Sequence, residues 1–209
     1  DTFSSRGLGD VYKRQRVSKV EVLGNNEIFD EADLIKPALG QSIWLVNNDT
    51  FTDNMLQIPT IKSVIISKEY PNKITIELYE YEKILTITDL RGSMPKKSTL
   101  YKNMIEIESD DIFLIPSLTI TNGPVPTGFN GEMVSLIMTL KSYNLDVNSF
   151  NFTYNGDSFI GEYRSTLIDF GNPLDLGSKS SALGSLIENS ECQGEIRFIS
   201  KEDLIANCS

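Results

Sequence analysis

Ile61-Lys62-Ser63-Val64-Ile65-Ile66-Ser67-Lys68-Glu69-Tyr70-Pro71-Asn72-Lys73-Ile74-Thr75-Ile76-Glu77-Leu78 is the stretch from which the fold is read. Ile61 to Tyr70 is β-rich, and Pro71-Asn72-Lys73 has the composition of a turn. Beyond it Ile74, Ile76 and Leu78 alternate with Thr75, Glu77 and Tyr79, the period of a strand with one buried face. Upstream, Val17-Ser18-Lys19-Val20-Glu21-Val22 alternates in the same way, and Gly24-Asn25 breaks it because both residues tolerate positive φ. Two helices are expected between these strands. Asp30 is a good N-cap for the first, with Phe29 and Leu34 at hydrophobic-staple spacing. Leu34, Ile35, Ala38 and Leu39 form its stripe, Pro37 sits badly inside it, and Gly40 stops it. After the apolar link Ile43-Trp44-Leu45, the second helix runs from Asp49 to Gln57, burying Phe51, Met55 and Leu56 and ending before Pro59. The order is β-α-α-β-β.

The second half reads as short strands at Ile84–Thr88, Thr99–Ile107, Phe150–Tyr154, Phe159–Tyr163, Thr166–Phe170 and Glu195–Ile199. Two helical stripes interrupt them: Met133, Val134, Ile137, Met138 and Leu140, then Leu176, Leu183, Leu186 and Ile187. The fold class is therefore α+β, with a mostly antiparallel sheet in the second half and a boundary near Lys83.

Composition removes several functions. A net charge of −10 repels nucleic acid. The chain has no histidine, which excludes a Ser-His-Asp triad, a Cys-His pair and His-ligated zinc. Cys192 and Cys208 cannot close a structural zinc site by themselves; they are either a disulfide or two buried thiols. No run of 18 apolar residues is present to span a membrane.

Asp10-Val11-Tyr12-Lys13-Arg14-Gln15 resembles a translated transposon adaptor from DNA library preparation, since its codons can spell GATGTGTATAAGAGACAG. Residues 1–15 are set aside as a non-native scar, the plainer reading being a polar linker. The chain stays acidic without them.

The first half, residues 16–83, resembles a POTRA domain, most closely that of the bacterial division family FtsQ/DivIB. The resemblance is carried by Val20-Glu21-Val22-Leu23-Gly24-Asn25, Gly40-Gln41-Ser42-Ile43-Trp44-Leu45, Ile58-Pro59-Thr60-Ile61-Lys62-Ser63-Val64 and Tyr70-Pro71-Asn72-Lys73-Ile74-Thr75-Ile76-Glu77-Leu78. Glu80-Tyr81-Glu82-Lys83-Ile84 stands where the family often has Glu-Arg-x-Pro, without the proline. Residues 84–209 follow the family's β domain more weakly, through Asp89-Leu90-Arg91-Gly92, Ile115-Pro116-Ser117-Leu118, Asp169-Phe170-Gly171 and Gly194-Glu195-Ile196-Arg197. The resemblance implies a single-pass protein of the bacterial cell membrane. Its anchor would precede Arg16 and both domains would lie on the extracytoplasmic side at the septum. It also implies a non-enzymatic divisome scaffold that binds FtsB/DivIC- and FtsL-like partners and uses no cofactor.

The family takes up its partner on the carboxy-terminal strand of the β domain. The positions matching here are Gly194, Glu195, Ile196, Arg197, Phe198, Ile199 and Ser200, with Glu195 and Arg197 facing one way and Ile196 and Phe198 the other. The plain alternative is a core strand. If the strand does bind, Phe198→Glu is expected to weaken partner binding with the fold intact. Tyr70, Tyr79 and Tyr81 are expected in cross-strand packing, and Trp44 in the core or at a subdomain contact.

Catalytic readings are weaker. Ser93-Met94-Pro95-Lys96 has the SxxK spacing of penicillin-binding enzymes, but Gly92 and Pro95 make it a loop, and the partner motifs are missing. Glu106, Glu108, Asp110 and Asp111 lack calcium-loop spacing and read as a solvated strand end. Two rivals remain: a POTRA module of an outer-membrane assembly or secretion system, and a cell-wall enzyme.

Overall fold

The computed structural model of the chain describes residues 15–24, 36–111, 113–189 and 192–208. The chain divides after Tyr81 into two compact units. Glu82 goes with the second, where its carboxylate pairs with Lys102 and Lys141. Lys83 is already the first residue of a strand there.

The first unit holds β1 (Lys19–Leu23), α1 (Asn48–Leu56), β2 (Ile61–Glu69) and β3 (Lys73–Glu80), with sheet order β1-β3-β2. β1 runs parallel to β3 with Val20 beside Ile74 and Val22 beside Ile76, and β2 is antiparallel to β3. The expected alternation is realised: Ile74, Ile76 and Leu78 are buried with Val22, Ile43, Val46, Met55 and Ile61. Asn47 caps α1 by accepting from the Asp49 backbone N–H at 3.0 Å. The first expected helix, with Phe29, Asp30, Leu34 and Ile35, lies outside the described residues. Of its remaining stripe Ala38 is buried, whereas Leu39 is exposed in a turn covering residues 36–40.

The second unit is a nine-stranded sheet with two helices. Its elements are β4 (Lys83–Asp89), β5 (Lys96–Tyr101), β6 (Glu106–Glu108), β7 (Ser117–Ile120), α2 (Phe129–Ser142), β8 (Phe150–Tyr154), β9 (Phe159–Tyr163), β10 (Thr166–Gly171), α3 (Leu176–Asn189), β11 (Gly194–Phe198) and β12 (Leu204–Cys208). The order across the sheet is β12-β11-β10-β9-β8-β7-β4-β5-β6. Antiparallel pairings predominate; β4–β7, β7–β8 and β10–β11 are parallel. Both helical stripes and five of the six sequence-read strands recur. The run Thr99–Ile107 is not one strand: Met104, at φ +67, turns it back so that Tyr101 N–H donates to the Ile105 carbonyl. β7 and β12 were not expected.

One face of this sheet is apolar and meets α2 and α3; the other is polar, as in β8, where Phe150, Phe152 and Tyr154 are buried and Asn151 and Thr153 exposed. Phenylalanines on successive strands stack across the core. Phe152–Phe159, Phe159–Phe170 and Phe170–Phe198 each have ring centroids 5.4 Å apart, which ties β8, β9, β10 and β11 together. The buried Lys179 of α3 donates to the carbonyls of Phe170 and Asn172, both at 2.8 Å, fixing the β10–α3 turn.

Candidate partner-binding edge

The seven residues expected to hold a partner are contiguous in space, but they are not an edge. Gly194 to Phe198 form β11, paired in parallel with β10 on one side and antiparallel with β12 on the other. Both rows of its backbone N–H and C=O groups therefore face neighbouring strands, so a further strand would have to be added elsewhere. The alternation holds: Ile196 and Phe198 point into the core, and Glu195 and Arg197 point to the open face. Arg197 lies 3.0 Å from Glu195 and 3.3 Å from Asp169. Phe198 is 8% exposed and stacked on Phe170, so Phe198→Glu would place a charge in the core; the expectation that it spares the fold is corrected. Ile199 is exposed, and Ser200 begins the turn to β12.

β12 ends the sheet, and among the described residues no strand lies on its outer side. Three local features hold it. The turn is closed by Ser200, whose hydroxyl accepts from the Asp203 backbone N–H at 3.1 Å and donates to the Asp203 carboxylate at 2.9 Å. Gly194, at φ +149, lets β12 come close, since a Cβ there would lie 2.1 Å from the Asn207 carbonyl oxygen. Cys192 and Cys208 form a disulfide beside the Gly194–Cys208 pair, which settles the open question of these thiols.

The two ends of the sheet differ. β6 is three residues long and carries Glu106 and Glu108, features that blunt an edge. β12 is Leu-Ile-Ala-Asn-Cys, with neither charge nor proline, and Ile205 is 52% exposed on it. Sequence reading missed this strand because its apolar run is three residues long, Leu204 to Ala206, directly after the charged Lys201-Glu202-Asp203. The Ser200–Asp203 turn composition ahead of it was the available signal.

The other singled-out groups lie apart. Trp44 is 62% exposed rather than in the core, and stacks on Tyr70 with centroids 4.5 Å apart. Tyr79 is exposed, stands beside Ser63 of β2, and donates through its hydroxyl to the Glu77 carboxylate at 3.0 Å. Ser93 lies in a bend while Lys96 begins β5, so no helix presents one to the other. Glu106 accepts from Ser98 and Asp111 from Ser109, and no metal-holding group of acidic or cysteine side chains occurs among the described residues.

The geometry defines two units, a small β1-β3-β2 sheet and a nine-stranded sheet that ends, among the described residues, on the uncharged strand β12. Residues 15–81 match the POTRA domain family of FtsQ type. The chain is similar to the cell division protein DivIB of Clostridium acetobutylicum, 23% identical over 167 residues, which are 76% of this chain and 66% of that protein. It thus spans just under two thirds of that relative's length. The family match thus covers the first unit, and the similarity to a DivIB protein runs on into the second.

Proposed function

We propose that the chain is the extracytoplasmic part of a non-enzymatic divisome scaffold. In this reading its second unit, the family's β domain, takes up a strand of an FtsB/DivIC- or FtsL-like partner along β12. The observation that carries the reading is Leu204–Cys208, an uncharged, proline-free strand at the end of the sheet. Strand addition there draws affinity from main-chain hydrogen bonds and specificity from side chains beside the edge. Gly194 to Ser200 support it from behind: β11 fixes the register of β12, and the exposed Ile199 lies next to the edge. In the chain, the POTRA unit lies between the proposed anchor and this edge. The disulfide fits an oxidising compartment outside the cytoplasmic membrane. No helix among the described residues is long and apolar enough to cross a membrane, and the anchor in this proposal lies upstream of Arg16.

The test is calorimetric titration of the chain with the extracytoplasmic domain of the DivIC-like partner. Ile205→Lys puts a charge on the exposed edge, and is expected to weaken binding about tenfold, ~1.4 kcal/mol, without unfolding the chain. Unchanged affinity would move the site off β12, and turnover of peptidoglycan fragments would overturn the non-enzymatic reading.

A further inference from the structure

We infer that the end of the first unit where the chain comes in is a lipid-contact surface, with Trp44, Leu45 and Tyr70 inserted at the headgroup boundary of an anionic bilayer. The inference rests on the anchored reading proposed above.

Topology places these residues. β1 and β3 are parallel, so the chain enters the unit at the end where β3 starts. It leaves at the opposite end, after Glu80, and eight residues of strand separate the two by roughly 26 Å. Three segments interlock at the first end. Val17 N–H donates to the Gln41 carbonyl at 2.8 Å, and Ile43 N–H to that of Gln15 at 3.0 Å. Ser18 N–H donates to the Asn72 carbonyl at 3.0 Å, and the Asn72 amide to the Ser18 hydroxyl at 2.7 Å. Trp44 follows directly from the second segment and stacks on Tyr70, which opens the third.

The side chains presented there do not suit water. Trp44 is 62%, Leu45 77% and Tyr70 55% exposed, although the same unit buries the neighbouring Ile43 and Val46 completely or nearly so. Tryptophan and tyrosine with an adjacent leucine are the residues that settle at a membrane interface, where rings meet acyl chains and polar edges stay wet. The charge also fits. At this end, counting the close of β2 and the first turn of α1, Arg16, Lys19, Lys68 and Lys73 still outnumber Glu21, Asp49 and Glu69, with Lys73 bridging Glu21 and Glu69, in a chain of net charge −10. A locally basic rim favours anionic headgroups, whereas the rest of the surface is repelled by them. A membrane helix joined just upstream would hold this end against the bilayer, so that a small apolar patch suffices.

The chain carries one tryptophan and no histidine, which makes the test direct. The full chain with a hexahistidine tag ahead of Asp1 is tethered to vesicles of phosphatidylglycerol and phosphatidylcholine containing a nickel-chelating lipid. Trp44 emission is expected to shift to the blue and to be quenched by lipids brominated on the acyl chain. Leu45→Glu, at an exposed position checked for folding by circular dichroism, is expected to abolish both effects. Unshifted, unquenched emission would overturn the lipid contact. So would a shift that appears only on adding the partner domain, which would assign the patch to protein. The tether replaces the anchor, so a negative result leaves the division reading standing, and β12 titrations test that reading separately.

Discussion

Cys192 and Cys208 bridge the β11–β12 hairpin with their Cα atoms 4.8 Å apart, fastening the last strand of the sheet to the strand behind it. Without the bridge, β12 would be held by one ladder alone, and its final residues would fray. Closing a loop of this length contributes about 3 kcal/mol in the chain-entropy account. Cys208→Ser is therefore expected to lower the stability of the second unit by about 2–3 kcal/mol and to weaken capture of a partner strand. Thermal unfolding followed with and without reductant checks the first part; a wild-type protein indifferent to reductant would contradict it.

Phe198 and Ile205 sit on adjacent strands but answer different questions. Phe198→Ala removes a ring stacked in the core and is expected to cost about 3–5 kcal/mol. Ile205→Lys changes an exposed side chain and is expected to alter stability by no more than about 0.5 kcal/mol. Urea midpoints of the two variants measure the contrast, and equal midpoints would mean that Ile205 is packed rather than available.

Lys179 is buried, and burial holds its pKa below the usual lysine value. Its ammonium also donates to the Asn172 side-chain oxygen at 3.2 Å, so three acceptors offset the lost hydration. Lys179→Ala leaves these acceptors without a donor and is expected to destabilise the second unit by about 2–4 kcal/mol. Because the folded pKa is lowered, the cost of holding this amine charged is present below that value and is relieved as pH rises from it towards the unfolded lysine value. Raising the pH through this range is therefore expected to stabilise wild type relative to Lys179→Met, and a difference between the two that does not grow with pH would contradict it.

Asp89 is gripped by Arg91, whose Nη2 lies 2.5 Å from Oδ2 and whose Nε donates to Oδ1 at 2.9 Å. This guanidinium holds the carboxyl at about 2. The folded value lies below the unfolded one near 3.9, so the stabilisation is fully present above about pH 4 and is lost as pH falls towards 2. Solvent at the pair keeps it under about 1 kcal/mol. Comparing acid unfolding of wild type with Arg91→Gln tests this; identical acid dependence in the two proteins would refute it.

Sequence periodicity settled what is local. The strands β3, β8 and β9, the helix α1 to within a residue, and both helical stripes of the second unit follow from side-chain spacing, which depends on the chain's own geometry. So does the division of β11, with Ile196 and Phe198 inward and Glu195 and Arg197 outward. Which strand ends the sheet is a different kind of fact. β12 declares itself only by pairing with β11, because three apolar residues beside a charged turn carry too little periodicity to be told from a tail. Its pairing in turn makes Gly194–Phe198 an interior strand of the sheet. Trp44 shows the same limit from the other side: a large aromatic in an apolar link reads as core, and only the packing of Gln15–Lys19 against Gly40–Ile43 and Asn72 leaves it facing out. Backbone order and face alternation are properties of short segments; edge or interior, buried or presented, is decided by which distant segments arrive beside them.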